Sequence, residues 1–136
     1  MERSNFSFDY LIPVPLSKKR LKQRGYNQVA VWGVPLGKMI GSPLNTTILT
    51  QNKETTSQVS LSADERWKNI HGAFSVNTDQ IRGKNIVILD DVITTGATLN
   101  ECARVLRKAG ARKILALTIA RSTIKNHHHQ EGGTYV

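Results

Sequence analysis

The run NIVILDDVITTGATLNECARVLRKAG, residues 85–110, constrains the fold more than any other stretch. Ile86, Val87, Ile88 and Leu89 form an unbroken, β-branched apolar run, the pattern of a central parallel strand covered on both faces. The run stops at Asp90 and Asp91, which places both carboxylates at an exposed strand end. Val92, Ile93, Thr94, Thr95, Gly96, Ala97 and Thr98 then read as a loop of hydroxyls and small residues leading into a helix. In that helix Leu99, Cys102, Ala103, Leu106 and Ala109 recur at the spacing of one buried face. Arg104, Arg107 and Lys108 fall opposite, and Gly110 sits where a C-terminal cap belongs.

A strand, loop and helix of this composition suit phosphate. Glycine lets the backbone approach an anion, successive N–H groups form a concave nest, and the helix start adds about half a positive charge. In an open α/β sheet, ligands bind beyond the carboxyl ends of the strands, so Asp90 and Asp91 stand where a ligand's hydroxyls or its metal would be met. The same residues could serve only as a helix cap and a turn, but two adjacent acids followed by TTGAT exceed what one cap requires. The stretch has neither GxxxxGKS/T nor GxGxxG, so it is neither a P-loop nor a dinucleotide fingerprint.

A chain of 136 residues makes one domain with its own core. With 39% hydrophobic and 21% charged residues it reads as an ordinary soluble globular protein, and no run approaches the ~20 apolar residues of a membrane span. Residues 1–10 do not read as a signal peptide. Cys102, the single cysteine, forms no internal disulfide or zinc cluster and is compatible with a reducing cytoplasm. The net charge of +9 is spread, +5 over residues 1–50 and +4 over 51–136, so a basic cleft for a small anion accounts for it as well as a nucleic-acid surface does. His127, His128 and His129 are successive in a polar terminus and cannot all converge on one metal ion.

Elsewhere the pattern predicts a first strand over residues 9–14 running into a rigid loop at Pro13 and Pro15. Lys18, Lys19, Arg20, Lys22 and Arg24 crowd around a turn at Gly25, either as a solvated surface or as part of a site. Asn27 caps a helix to Ile40 with Val29, Trp32, Leu36, Met39 and Ile40 on its apolar face, bent or interrupted at Gly33 and Pro35. A second strand is expected over 46–49. A long polar stretch follows, and a capping box at Ser62 and Glu65 opens a short helix toward Asn69. A short strand over 73–76, a turn over 80–84 and a last buried strand over 113–120 complete the pattern.

VILDDVITTGAT resembles the phosphoribosyl-pyrophosphate (PRPP) signature of the type I phosphoribosyltransferases. Pro13, Pro15, Arg24, Gly25, Asn27 and Gln28 match PVPxxxxxxxxRGxNQ, a signature of the competence protein F (ComF) family. Lys53, Thr55, Gln58, Leu61, Arg66 and Asn69 match its pattern RxTxxQxxLxxxxRxxN, with Lys53 in place of the usual arginine and its planar fork lost. The resemblance covers residues 11–121, and the cysteine-rich module that often precedes PVP in that family is not in this chain.

The resemblance implies a single-domain type I phosphoribosyltransferase-like α/β fold with a mostly parallel sheet flanked by helices. It implies Mg2+-dependent transfer of a phosphoribosyl group from PRPP to a nitrogen acceptor, releasing pyrophosphate. Thr94, Thr95, Gly96, Ala97 and Thr98 would cradle the 5′-phosphate. Asp90 and Asp91 would hold the ribose hydroxyls and, indirectly, the metal. Pro13, Val14, Pro15 and Leu16, a loop that in related enzymes often carries a cis peptide, would meet the pyrophosphate with Lys53 and Arg66, under a mobile lid. The rival reading is a non-enzymatic PRPP sensor or a component of the DNA-uptake machinery that contacts single-stranded DNA. Whether the protein forms a homodimer is open.

Overall fold

The computed structural model describes residues 7–52, 62–93 and 96–121. Its centre is the strand β4 (Asn85–Ile93), paired in parallel with β1 (Tyr10–Pro13) on one side and β5 (Lys113–Arg121) on the other. Tyr10 faces Ile86 and Pro13 faces Leu89 across the first pair, and Asn85 faces Lys113 across the second. Alternation along β4 explains why the run is apolar throughout. Ile86 and Ile88 pack with Ile12, Cys102 and Leu106 on one face, whereas Val87 and Leu89 pack with Leu11 and Val29 on the other.

Each face is covered by one main helix. On the first lies α4 (Ala97–Lys108), burying Leu99, Cys102 and Leu106 as its spacing predicts. It ends in a Schellman motif: Gly110, with φ 103°, donates to Arg107 O and Ala111 donates to Leu106 O. On the second lies α2 (Gln28–Ile40), capped by Asn27 as expected.

Of the bent or interrupted helix expected, the interruption does not occur: α2 runs continuously through Pro35. Both Pro35 and Val31, whose carbonyl the missing N–H would have met, are exposed. On that exposed face water can take the place of the missing N–H and donate to the Val31 carbonyl. The buried face matches the expected one only in part: Val29 and Leu36 pack on the core as expected, but Gly33 and Gly37 also turn inward, while Trp32, Met39 and Ile40 are exposed. The glycines allow a close approach. A Cβ on Gly33 would lie 2.7 Å from Leu44 Cδ1, and one on Gly37 2.6 Å from the carbonyl oxygen of Ser42.

Three other boundaries depart from expectation. The cationic run is a helix, α1 (Lys18–Arg24), rather than only a turn. Ser17 accepts from Arg20 N–H at its start, and Gly25 at φ 82° closes it. The strand expected over 46–49 begins only at Leu49, because Asn45 Oδ1 accepts from the N–H groups of Thr47 and Ile48 and holds them in a turn. The resulting β2 (Leu49–Gln51) leaves the main sheet and pairs antiparallel with β3 (Phe74–Val76). Finally, β4 continues past both acids, with Asp90 opposite Thr118 and Ile93 opposite Arg121. The short helix α3 (Ala63–Ile70) opens with the expected Ser62–Glu65 capping box.

Candidate functional site at the carboxyl edge of the sheet

Because β1, β4 and β5 are parallel, their carboxyl ends share one edge. The loop at residues 13–16 leaves β1 there and is tied to β4 at once, since Val14 N–H donates to Leu89 O at 2.8 Å. Asp90 and Asp91 follow Leu89 directly. The expected loop and the expected acids are therefore neighbours across a single strand spacing, about 4.8 Å.

The two acids do not form a pair on one face. By alternation Asp90 shares the face of Ile86 and Ile88, toward α4, and Asp91 shares the face of Val87 and Leu89, toward α2. Nor is the end of the strand exposed at Asp90. Burial pushes its carboxyl up to about 7, opposed by the Asp91 N–H that donates to Oδ1 at 2.8 Å and assisted by the Asp91 side chain. Behind it, burial pushes the Cys102 thiol well up, with Asp90 and Glu101 adding to the shift, so Cys102 is a core residue and not a nucleophile.

α4 begins at this same edge. Its N-cap is Gly96, at φ 78°, which has no side chain to offer the first turn, and Asn100 N–H donates to Gly96 O at 2.8 Å. Ala97 is buried and Thr98 half-buried. Asp90 and Asp91 lie inside β4. Thr94 and Thr95 lie outside the described residues, as do Lys53, Thr55, Gln58 and Leu61.

A family match decides how this edge is classified: residues 16–132 match the phosphoribosyl transferase domain model. The chain belongs to that family. Competence protein F of Haemophilus influenzae is 39% identical over 114 residues, covering 82% of this chain and 50% of that protein. The DNA utilization protein YhgH of Escherichia coli O157:H7 is 33% identical over 114 residues, 84% of this chain and 50% of that protein. The chain thus spans about half the length of the curated relatives it matches. A hypoxanthine phosphoribosyltransferase from Staphylococcus aureus superposes with a TM-score of 0.54 at 16% identity, over 93% of this chain and 59% of that one, which shows the fold. The type I phosphoribosyltransferase-like fold and the ComF relationship expected from the motifs both hold.

In a phosphoribosyl transferase domain the remaining motif residues can now be placed. Gly25 ends α1, and Asn27 joins two elements, accepting from Val29 N–H at 3.1 Å and donating through Nδ2 to Val14 O at 3.2 Å. Arg24 and Gln28 are exposed, and Asn69 is half-buried near the end of α3. Arg66 lies on α3, its side chain outside the described set. All peptide bonds among the described residues are trans, so the cis peptide expected in the loop at 13–16 is not found there. Val14 in that loop is held by two hydrogen bonds, one at its N–H and one at its C=O.

One carboxylate escaped the sequence reading. Glu101 lies on α4 yet is only 3% exposed. It accepts from Arg104 Nε at 2.9 Å and Nη2, and from Gly72 N–H at 3.0 Å, tying α4 to the turn after α3. Arg104, then Gly72, hold its carboxyl below the usual range against its burial. The signal available was an acid at i, i+3 to an arginine on an otherwise apolar face.

Among the described residues no group of three or more His, Cys, Asp or Glu converges on a metal site. Asp90 and Asp91 are hard oxygen donors on opposite faces of one strand, which fits an ion that keeps its waters and is held by one carboxylate together with ligand phosphates, as Mg2+ is. Among the described residues no helix is long and apolar enough to cross a membrane.

Proposed function

We propose that this domain binds PRPP with Mg2+ and transfers its phosphoribosyl group to a nitrogen acceptor, releasing pyrophosphate. The observation that carries this reading is the Val14–Leu89 hydrogen bond, which sets the loop at 13–16 beside Asp90 and Asp91 at the edge where α4 begins. In the reaction the bond from ribose C1′ to the pyrophosphate oxygen breaks, a bond from C1′ to the acceptor nitrogen forms, and the acceptor loses a proton to solvent. Negative charge builds on the departing oxygen while the ribose turns cationic.

The residues divide this work by position. The loop at 94–98 cradles the 5′-phosphate, with the α4 dipole behind it. Asp90 and Asp91 hold the ribose hydroxyls and counter the cationic ribose. The loop at 13–16, with Lys53 and Arg66, meets the pyrophosphate. Mg2+ would be held by Asp90 or Asp91 together with substrate oxygens, and supplies charge neutralisation at the leaving group. The single buried thiol fits a cytoplasmic setting.

Pyrophosphate release, followed while PRPP, Mg2+ and a panel of nitrogen acceptors are supplied, tests the reaction. Calorimetry with PRPP and Mg2+ alone tests the site. No heat at millimolar PRPP, from protein that unfolds cooperatively, would refute the reading. A second reading, a PRPP-binding partner of DNA uptake, is favoured by α1, whose five cations are exposed and which carries no acid. Salt-dependent binding of single-stranded DNA, with PRPP bound but no pyrophosphate released for any acceptor, would select it.

A further inference from the structure

We propose that Asn27 is the positioning residue for the loop at 13–16, and that its side-chain amide sets how tightly the site grips a pyrophosphate. The proposal rests on the reading of that loop as the pyrophosphate side of the site. Asn27 does two things at once. Its Oδ1 accepts from Val29 N–H at 3.1 Å and closes the first turn of α2, while its Nδ2 donates to Val14 O at 3.2 Å, thirteen residues back in the chain. Only one orientation of the amide serves both, because the N–H of Val29 needs an acceptor and the carbonyl of Val14 needs a donor.

Val14 is thereby held from both sides. Its N–H is bonded to Leu89 O at 2.8 Å and its C=O to Asn27. The Val14 carbonyl belongs to the peptide that joins Pro15, so fixing it sets the plane from which the rest of the loop departs. Pro15 has no N–H, and Leu16 supplies the first backbone donor after Val14. A loop that binds an anion through backbone N–H groups depends on those groups being aimed before the anion arrives. α1, closed by Gly25 at φ 82°, brings the chain back so that Asn27 can reach the loop it left.

The cap and the donor can be separated. Aspartate and serine cap helices about as well as asparagine, so Asn27→Asp and Asn27→Ser keep the acceptor for Val29. Neither can bond Val14 O as asparagine does: an ionised carboxylate has no proton to donate, and the serine hydroxyl is too short to span both partners. Serine also leaves the charge of the site unchanged.

The test is calorimetric titration of the unaltered protein and both variants with magnesium pyrophosphate and, separately, with ribose 5-phosphate. The latter carries no pyrophosphate and would be held at the α4 end of the edge. Pyrophosphate affinity is expected to fall at least tenfold in both variants, further in Asn27→Asp, whose added charge faces the same anion. Ribose 5-phosphate affinity should stay within twofold. Unchanged pyrophosphate binding by Asn27→Ser, in a protein that binds both probes before substitution, would overturn the proposal and leave the proposed function standing. Equal loss of both probes would overturn it too, by showing only a general structural role. An unaltered protein that binds neither probe would remove the proposed function and this inference with it. If one variant fails to fold, the other carries the comparison.

Discussion

Asp90→Asn is expected to make the protein more stable near neutral pH and to leave stability unchanged in acid. Asp90 has its carboxyl raised from 3.8 to about 7, with burial as the largest cause. The folded state therefore holds a proton that the unfolded chain releases near pH 4. The stability of the protonated form is fully present below about pH 4 and is lost as the pH rises to about 7. Some three pKa units at 1.36 kcal/mol each set a ceiling of about 4 kcal/mol on the loss, and relaxation of the surroundings would reduce it to roughly half.

Asparagine removes that loss while keeping shape, and its Oδ1 still accepts from Asp91 N–H. Urea denaturation of the two proteins from pH 4 to 8.5 measures the difference. It should rise from near zero at pH 4 to roughly 2–4 kcal/mol at pH 8 in favour of Asp90→Asn, with its midpoint between the two pKa values. A difference that is flat with pH, or a variant less stable at pH 8, would refute the argument by showing that the ionised carboxylate is paired. The same substitution should weaken PRPP at least tenfold, about 1.4 kcal/mol. A residue that costs stability and gives affinity marks a functional position.

Glu101 should show the opposite pH dependence. Its carboxyl is lowered, chiefly by Arg104, so its contribution is present above its ordinary pKa of 4.5 and is lost as the pH falls; Glu101→Gln should lower the urea midpoint at pH 7 and have a much smaller effect near pH 3. In α2, Gly37→Ala should destabilise by roughly 1–3 kcal/mol because its Cβ would meet the Ser42 carbonyl, a backbone atom, at 2.6 Å. Gly33→Ala meets side-chain ends alone, Leu44 Cδ1 at 2.7 Å and Leu89 Cδ2 at 3.4 Å, so the gain of about 1 kcal/mol in helix propensity should leave it near neutral. Thermal melts of the two alanine variants decide between these outcomes.

What the sequence reveals here depends on how local the cause is. β4 and α4 are legible because an apolar run and a 3.6-residue spacing each report burial directly, and Gly110 reports the left-handed turn. The Asp90 environment was also within reach: counting by twos from Ile86 and Ile88 puts Asp90 on the covered face, which treating the two acids as one exposed unit overlooked. α1 was marked at both ends by Ser17 and Gly25 but hidden by its cations. In α2 the bulky residues look like the core face, yet Leu44 and the Ser42 carbonyl pack against Gly33 and Gly37, because the closeness of an approach is a tertiary fact. The bonds from Asn27 to Val14 and from Glu101 to Gly72 join residues 13 and 29 positions apart, and no pattern of neighbours carries them.

The order of the elements along the edge gives the site its direction. β1 and β4 are adjacent strands, so Val14, where the loop at 13–16 begins, lies one strand spacing, about 4.8 Å, from Leu89, the residue before the acids. α4 begins at the same edge, with Gly96 as its cap. On the proposed function, a ligand with a phosphate at one end, hydroxyls in the middle and a pyrophosphate at the other would lie across the strand ends, its middle over Asp90 and Asp91. Asp91 faces the layer in which α2 and its cap Asn27 lie, whereas Asp90 faces α4. The acids are thus not interchangeable: Asp90 is set by burial on the α4 side, and Asp91 lies on the side of α2, whose cap Asn27 bonds the loop at 13–16. It follows that substitutions at Asn27 should be felt at one end of the ligand, and substitutions at Asp90 in its middle.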